Sequence, residues 1–541
     1  MSYVLEIVLA LATLALPELG WGGTRELPWV VLALACIPHL LGLAARRALL
    51  SGRFRTGALL ERLLVAGPVL LQALAVAELG WLATLERAGL APEVAEWAGL
   101  DLLPGLAPFL VYQLLAIDAR ARGLVFPPDL PGKMRAFHLR LFLAAALPVL
   151  AYLGGASLLA RSPVWRVRVD EVGLLGAAAF ALLIVLFLRA MPYFLRYAWD
   201  TAPLERGWAR TMLEEVAKAA GFRYRELLVW RTGQQMSNAA IVGFSERGRL
   251  VFFSDLLLQQ LGPRELSAVF AHEMGHARRG HAFVFGAFAL GFFLTAQRLV
   301  LDAGIEDELV LGAIVAGIAL LWYLAFGYLS RRFELEADLE SLRVVGESGP
   351  LVRALELVTG AHAHARSSWR HFSTRDRVAF LRSAERDPLV GLRLRQRLGR
   401  WRKLGIALFC VALVLEVRAL ARDWDADWVV ADLRLGRFEA AAERAAGPRI
   451  DPELAELARR AVQAPAASRR PQDLWALALS AGFRGDLVEA RDWLELARLR
   501  GAQGLDPLID ELDRAGPSPE RLAPVWREAL RTLAEARERK N

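Results

Sequence analysis

Residues 272 to 281 read HEMGHARRGH, three histidines and a glutamate within ten positions. Residues four apart on an α-helix share a face, so His272 and His276 can present two imidazole nitrogens to one ion, with Glu273 about 100° further round. Neutral imidazole is a common zinc ligand, and a glutamate beside two such ligands can serve as a general base. The stretch therefore encodes two ligands and the base of a hydrolytic zinc centre. It does not supply the third ligand.

His281 is the nearest candidate, but on a continuous helix it lies about 180° round from His272. A metzincin would place a histidine six positions after His276 behind a glycine, and that position is Ala282. His281 is thus expected beside the centre or at an interface, off the metal. Among the downstream carboxylates, those at 306 to 308 follow an apolar run over 282 to 301, which would carry them about 30 Å across a bilayer. A second apolar run returns the chain to the starting side at Ser330, where Glu334 and Asp338 are four apart on one helical face and Glu336 points roughly 160° away. Glu334 is expected as the third ligand. Asp338 is expected behind a ligand histidine, fixing its ring tautomer. Three protein ligands leave zinc an open position for water, the arrangement of a catalytic rather than a structural site.

The elements that must hold these residues are legible nearby. GPRELSAVFAHEMGH has a proline near its start and Leu266, Val269 and Phe270 at helical spacing, so the motif belongs on a helix. Before it, ELLVWRT (226–232), AAIVGF (239–244) and RLVFFS (249–254) are β-rich, the last two separated by the turn-like SERGR, and predict a small sheet. Further upstream TAPLERGWARTMLEEVAKAAG reads as an amphipathic helix ending at Gly221.

With 55% hydrophobic residues in 541, the chain is too apolar for an ordinary soluble enzyme. About nine apolar stretches could span a bilayer, near 3–19, 27–45, 63–82, 101–117, 139–160, 172–195, 282–301, 309–329 and 404–421. The first carries Glu6 and lacks a basic start or a small-residue cleavage pattern, so it reads as a retained helix rather than a removable signal. Arginine-rich loops around 46–62 and 120–140 mark the cytoplasmic side, and alternation then places 196–281 and 330–403 there, with the stretch 161–171 fitting poorly. The formal charge of +8 is explained by this topology. No basic tract is interleaved with aromatics, which argues against a nucleic-acid partner. Cys36 and Cys410 both lie in apolar segments and offer neither a disulfide framework nor a thiolate metal site.

The expected fold is mainly α: a polytopic transmembrane helical protein with a zincin-like metallopeptidase domain containing a small β-sheet, followed by a C-terminal helical domain. The regions are 1–199, transmembrane helices; 200–403, the metallopeptidase domain with a two-helix membrane hairpin at 282–329; 404–421, a last span; and 422–541, a soluble helical domain. In that last part DLWALALSAGFRGDLVEARDWLELARLRG reads as two helices around 482–485, a hairpin of the kind that stacks into tetratricopeptide-like arrays.

The stretches SNAAIVGF (237–244), ELSAVFAHEMGH (265–276) and SRRFELEAD (330–338) resemble those of membrane-integrated gluzincin peptidases, the CAAX prenyl endopeptidases and HtpX-type proteases, over roughly 200–385. The resemblance implies one zinc ion per chain bound by His272, His276 and Glu334. It also implies an edge strand at Asn238 and Ala239 that pairs with substrate backbone, and a histidine and arginine at the reacting carbonyl, which His371 and Arg377 in HFSTRDRV match. Prolines that usually follow that histidine are missing. His362 and His364 have no matching role and read as surface residues.

Two functional classes fit. One is an integral-membrane zinc endopeptidase, in a bacterial inner membrane with its site on the cytoplasmic side, cutting membrane-associated, prenylated or misfolded polypeptides. The other is a membrane scaffold with a structural or vestigial metal site and a helical tail that binds a protein partner. The intact Glu273 favours the first, because a structural site needs no base.

Overall fold

The computed structural model describes residues 28–89, 161–302, 308–359, 372–464 and 470–502, apart from 235, 484 and 485, together with scattered positions elsewhere. The chain divides into two compact units, Met1–Ser157 with Ile184–Val414, and Leu158–Leu183 with Leu415–Asn541.

Helices α1 (Pro28–Leu50), α2 (Phe54–Ala77) and α3 (Trp81–Arg87) gather around Val31, Ala75, Leu79 and Trp81. In chain order α4 (Pro163–Glu171) and the long apolar α5 (Gly173–Ala198) follow, then β1 (Thr201–Pro203), α6 (Trp208–Ala219), β2 (Glu226–Trp230), β3 (Ala239–Val242) and β4 (Leu250–Ser254). The sheet order is β1-β2-β4-β3, with β2 and β4 parallel and the other two pairs antiparallel. All five residues of β4 are buried, and a strand covered on both faces reads as an unbroken apolar run, here LVFFS. The three sequence-predicted strands are present. The short β1, only three residues and ending in Pro203, has no alternating pattern to announce it.

Three helices come next: α7 (Asp255–Gln260), α8 (Pro263–Arg278) and α9 (His281–Asp302). Ser254 caps α7 by accepting from the Leu257 amide, the usual remedy for an unpaired helix N-terminus. Pro263 opens α8 where a missing N–H is harmless, with Glu265 in the first turn. Leu266, Phe270 and Met274 of α8 pack with Phe253 and Leu213 in the core beneath the sheet, and Phe253 and Phe270 meet edge to face at 5.8 Å.

The chain continues as α10 (Glu308–Val345), α11 (Gly349–Thr359), α12 (Thr374–Arg386) and α13 (Pro388–Arg422). No proline interrupts 309–345, so the expected span at 309–329 and the SRRFELEAD stretch form one helix of 38 residues. The basic segment and the last expected span likewise fuse into α13. Three helices among the described residues are long and apolar enough to cross a membrane: α5, the His281–Leu299 part of α9, and α13. The stretches 27–45 and 63–82 fall in α1 and across α2 and α3. Those at 3–19 and 101–117 lie almost wholly outside the described residues, and 139–160 is described only at scattered positions.

The second unit contains α14 (Trp424–Leu435), α15 (Phe438–Ala445), α16 (Pro452–Gln463), α17 (Pro471–Phe483) and α18 (Leu487–Leu499). Small and large apolar residues interlock in its core, among them Ala441, Ala458, Ala478, Leu474 and Trp493. Helix α4 also packs here: Glu171 pairs with Arg434, and Arg168 lies 5.4 Å from the ring centroid of Trp428. The arginine-bearing stretch 161–171 is thus a packed helix, and counting it as a free loop in the charge alternation misreads it.

Candidate metal centre

Helices α8 and α10 cross closely enough that Gly275 of α8 faces the backbone of Ala337. That crossing brings the imidazoles on α8 against the carboxylates on α10. His272 and His276 turn their Nε2 atoms toward each other at 3.2 Å. Glu334 places one carboxylate oxygen 3.8 Å from Nε2 of His272 and the other 3.7 Å from Nε2 of His276. Among the described residues, these three form the group whose ligand atoms lie close enough to hold one ion. Bonds of about 2.0–2.1 Å directed tetrahedrally from one zinc put neighbouring donors about 3.3 Å apart. The observed spacings and the two-imidazole, one-carboxylate donor set fit such an ion.

The surroundings set the charge states. Asp338 is fully buried, with one oxygen 2.9 Å from Nδ1 of His272, off the line a hydrogen bond prefers. Arg377 on α12 grips the same carboxylate with two donors, Nε at 2.9 Å and Nη2 at 2.5 Å, and its Nη1 lies 3.7 Å from Glu334. Burial works against ionised Asp338, but Arg377 and His272 outweigh it and hold the carboxyl below its ordinary value. Burial also works against charging His272, yet Asp338 more than offsets it and the ring's pKa is raised. His276 goes the other way: burial, with neighbouring His272, pushes it down to about 3, so it stays neutral and ready to ligate. Burial lifts the Glu273 carboxyl to about 7, with Glu334 adding to the rise and His272 and Arg377 opposing it. A carboxylate poised near neutrality suits proton transfer.

Glu273, His276, Glu334 and Arg377 line a cleft of about 470 Å³ that extends along Asn238 and Ala239. Ala239 begins β3, the edge strand, which pairs only with β4 among the described residues. The Asn238 amide donates to Oγ of Ser254, and its carbonyl accepts from the Ser254 amide, which pins the start of that strand. His371, together with His362 and His364, lies outside the described residues.

His281 lies beside the centre, but not by the continuous-helix angle expected for it. Helix α8 ends at Arg278, Gly280 takes a left-handed φ of 61°, and α9 starts afresh at His281. The angle computed on a continuous helix does not apply. His281 returns beside His276, their Nδ1 atoms 2.8 Å apart, while its Nε2 lies 3.0 Å from Glu336. Glu336 is buried and pairs with Arg402 of α13, and His281 stacks flat on Phe333 at 4.2 Å. Glu336 is not in the group of candidate ligands, but reaches His276 through His281. The only sequence signal for this is the glycine one residue before His281.

Residues 203–385 match the Peptidase family M48 model. Protease HtpX of Ectopseudomonas mendocina (strain ymp) is 29% identical over 179 residues, covering 28% of this chain and 56% of the relative. CAAX prenyl protease 1 homolog of Oryza sativa subsp. japonica is 26% identical over 206 residues, covering 30% and 48%. The chain spans about half the length of these curated relatives. The crystal structure of S. mikatae Ste24p aligns with 66% of this chain and 99% of its own, at 15% identity and a TM-score of 0.38. The helix crossing that joins HEMGH to FELEAD, and the edge strand beside it, fall inside the segment that is similar to Peptidase family M48.

Proposed function

We propose that the protein is an integral-membrane zinc endopeptidase that cleaves peptide bonds of membrane-associated, prenylated or misfolded polypeptides at the cytoplasmic face. The observation that carries this reading is the convergence of His272, His276 and Glu334 on one point at the wall of a cleft bordered by β3, the edge strand among the described residues. Zinc held there supplies a Lewis acid that lowers the pKa of water toward about 7 and polarises a carbonyl.

The chain's own groups do the rest. An extended substrate pairs its backbone with β3 at Asn238 and Ala239, a mode tolerant of sequence. Glu273 accepts the proton of the attacking water and delivers it to the leaving amine. Asp338 orients His272, and the Glu336–His281 pair orients His276, so that both Nε2 lone pairs face the ion. Arg377, clamped by Asp338, puts a fixed positive charge at the cleft wall near the carbonyl oxygen that becomes negative, and His371 is assigned to the same oxygen. The C-terminal helical unit is assigned to a protein partner.

The test is cleavage of a quenched peptide by the purified full chain, with zinc measured in the same samples. Glu273→Gln should keep its zinc and lose about 10²–10⁴ in turnover, the usual worth of a general base. Undiminished cleavage by that variant would remove Glu273 from the mechanism.

A further inference from the structure

A second cavity, of about 440 Å³, lies against the C-terminal half of α5 and shares no lining residue with the metal cleft. One wall is apolar: Val185, Leu188 and Phe244, all exposed, with Pro192 behind them. The other is cationic, formed by Arg189, Arg225 and Arg247. Arg225 donates to the Tyr193 hydroxyl at 2.8 Å and lies 5.2 Å from the centroid of that ring. No carboxylate lines the cavity among the described residues. The neighbouring acids are engaged elsewhere, Glu226 with Arg196 at 2.7 Å and Glu246 with Arg223 at 3.6 Å.

Three guanidinium groups facing one cavity without an acid repel one another, an arrangement that an external anion relieves. Its place on α5 says which anion. The apolar window of α5 has no buried residue, as expected of a lipid-facing helix. Arg189 is nine residues from the C-terminal end of α5, about 13 Å at 1.5 Å per residue, where its stem can run along apolar surface while its head reaches the interface. Phe244 stands exposed at the cavity and Tyr197 in the last turn of α5, the residue types that settle at a membrane boundary.

We propose that this cavity binds an anionic phospholipid, its phosphate held by Arg189, Arg225 and Arg247 and an acyl chain lying along Val185, Leu188 and Phe244. Basic pockets beside membrane helices on the cytoplasmic side take anionic headgroups in this way. Because Phe244 and Arg247 belong to the turn between β3 and β4, a bound lipid fastens that turn, and with it the edge strand of the cleft, to the bilayer surface. The assignment rests on α5 as a membrane span, which partition of the chain into the membrane fraction checks separately.

The experiment is native mass spectrometry of the purified full chain titrated with phosphatidylglycerol or phosphatidylcholine, with melting temperatures recorded alongside. Phosphatidylglycerol should be retained at least about tenfold more tightly, and retention should weaken roughly fivefold for each arginine removed. The variants are Arg247→Gln, on an exposed turn, and Arg189→Gln combined with it. Arg223→Gln, outside the cavity, should retain lipid like wild type. Inorganic phosphate and glycerol 3-phosphate at the same concentrations should neither compete nor raise the melting temperature. Equal retention of the two lipids, or unchanged retention in Arg247→Gln and the double variant, would overturn the proposal. Full competition by glycerol 3-phosphate would overturn it too, by making this a site for a soluble anion.

Discussion

Gly275 stands between the two metal-facing histidines of α8, and the structure says what a single methyl group would do there. A Cβ at this position would meet Cα of Ala337 and Cβ of Glu340 at 2.9 Å, and the Ala337 carbonyl oxygen at 3.2 Å. These are atoms of, or directly on, the α10 backbone and cannot swing aside, so Gly275→Ala must push α8 and α10 apart by roughly 0.5 Å to regain ordinary contact. Overpacking of this kind costs about 1–3 kcal/mol, while alanine returns about 1 kcal/mol through helix propensity, leaving a net loss of about 0–2 kcal/mol. The metal should feel it more, because Glu334 sits on the helix that moves and zinc ligation tolerates only about 0.2 Å. Zinc affinity should drop at least about tenfold. Chelator competition on the purified full chain, with thermal melts beside it, measures both effects. Gly286→Ala in α9 is the control, since a Cβ there meets nothing within 4 Å. A Gly275→Ala protein that binds zinc like the Gly286→Ala protein would refute the idea that close packing of α8 and α10 sets the ligand spacing.

The ion pairs around the centre give further expectations. Arg377→Ala leaves the fully buried Asp338 without its two-pronged partner, and breaking such a pair should destabilise the fold by about 3–5 kcal/mol; an unchanged denaturant midpoint would contradict this. Glu336→Gln should weaken zinc binding about 10–100-fold in chelator competition through loss of the His281–His276 support, whereas a wild-type affinity would reduce His281 and Glu336 to bystanders. Glu273 is a base only when ionised, so activity should fall as pH drops through its pKa. Burial lifts that pKa to about 7, and a nearby dication pulls it lower. A log plot of kcat/KM should therefore show an acid limb below pH 7, falling about tenfold per pH unit, and the same limb in the residual activity of Glu273→Gln would exclude Glu273 as the titrating base.

Most of the centre was legible because its residues sit on uninterrupted helices. His272 and His276 on α8, and Glu334 and Asp338 on α10, are each four apart, and wheel geometry held wherever the helix continued. It failed at Gly280, where a left-handed residue reset the direction of the chain and returned His281 to His276. The clamp between Arg377 and Asp338 spans 39 positions, and the Glu336–Arg402 pair spans 66; no local pattern encodes either. Strands β2, β3 and β4 announced themselves by apolar runs between turn residues, while the continuity of α10 was hidden by a change from apolar to charged composition at Ser330 that leaves helix propensity intact. The same change of composition masked the length of α13.

The central claim is that two imidazoles from α8 and one carboxylate from α10 hold a single zinc ion. Zinc K-edge X-ray absorption of the full chain, purified without chelator, addresses it most directly. The account predicts one zinc per chain with two imidazole nitrogens and oxygen neighbours at about 2.0–2.2 Å, and loss of that signal in Glu334→Ala. A spectrum requiring three imidazoles, or a wild-type protein with no zinc above background, would contradict it.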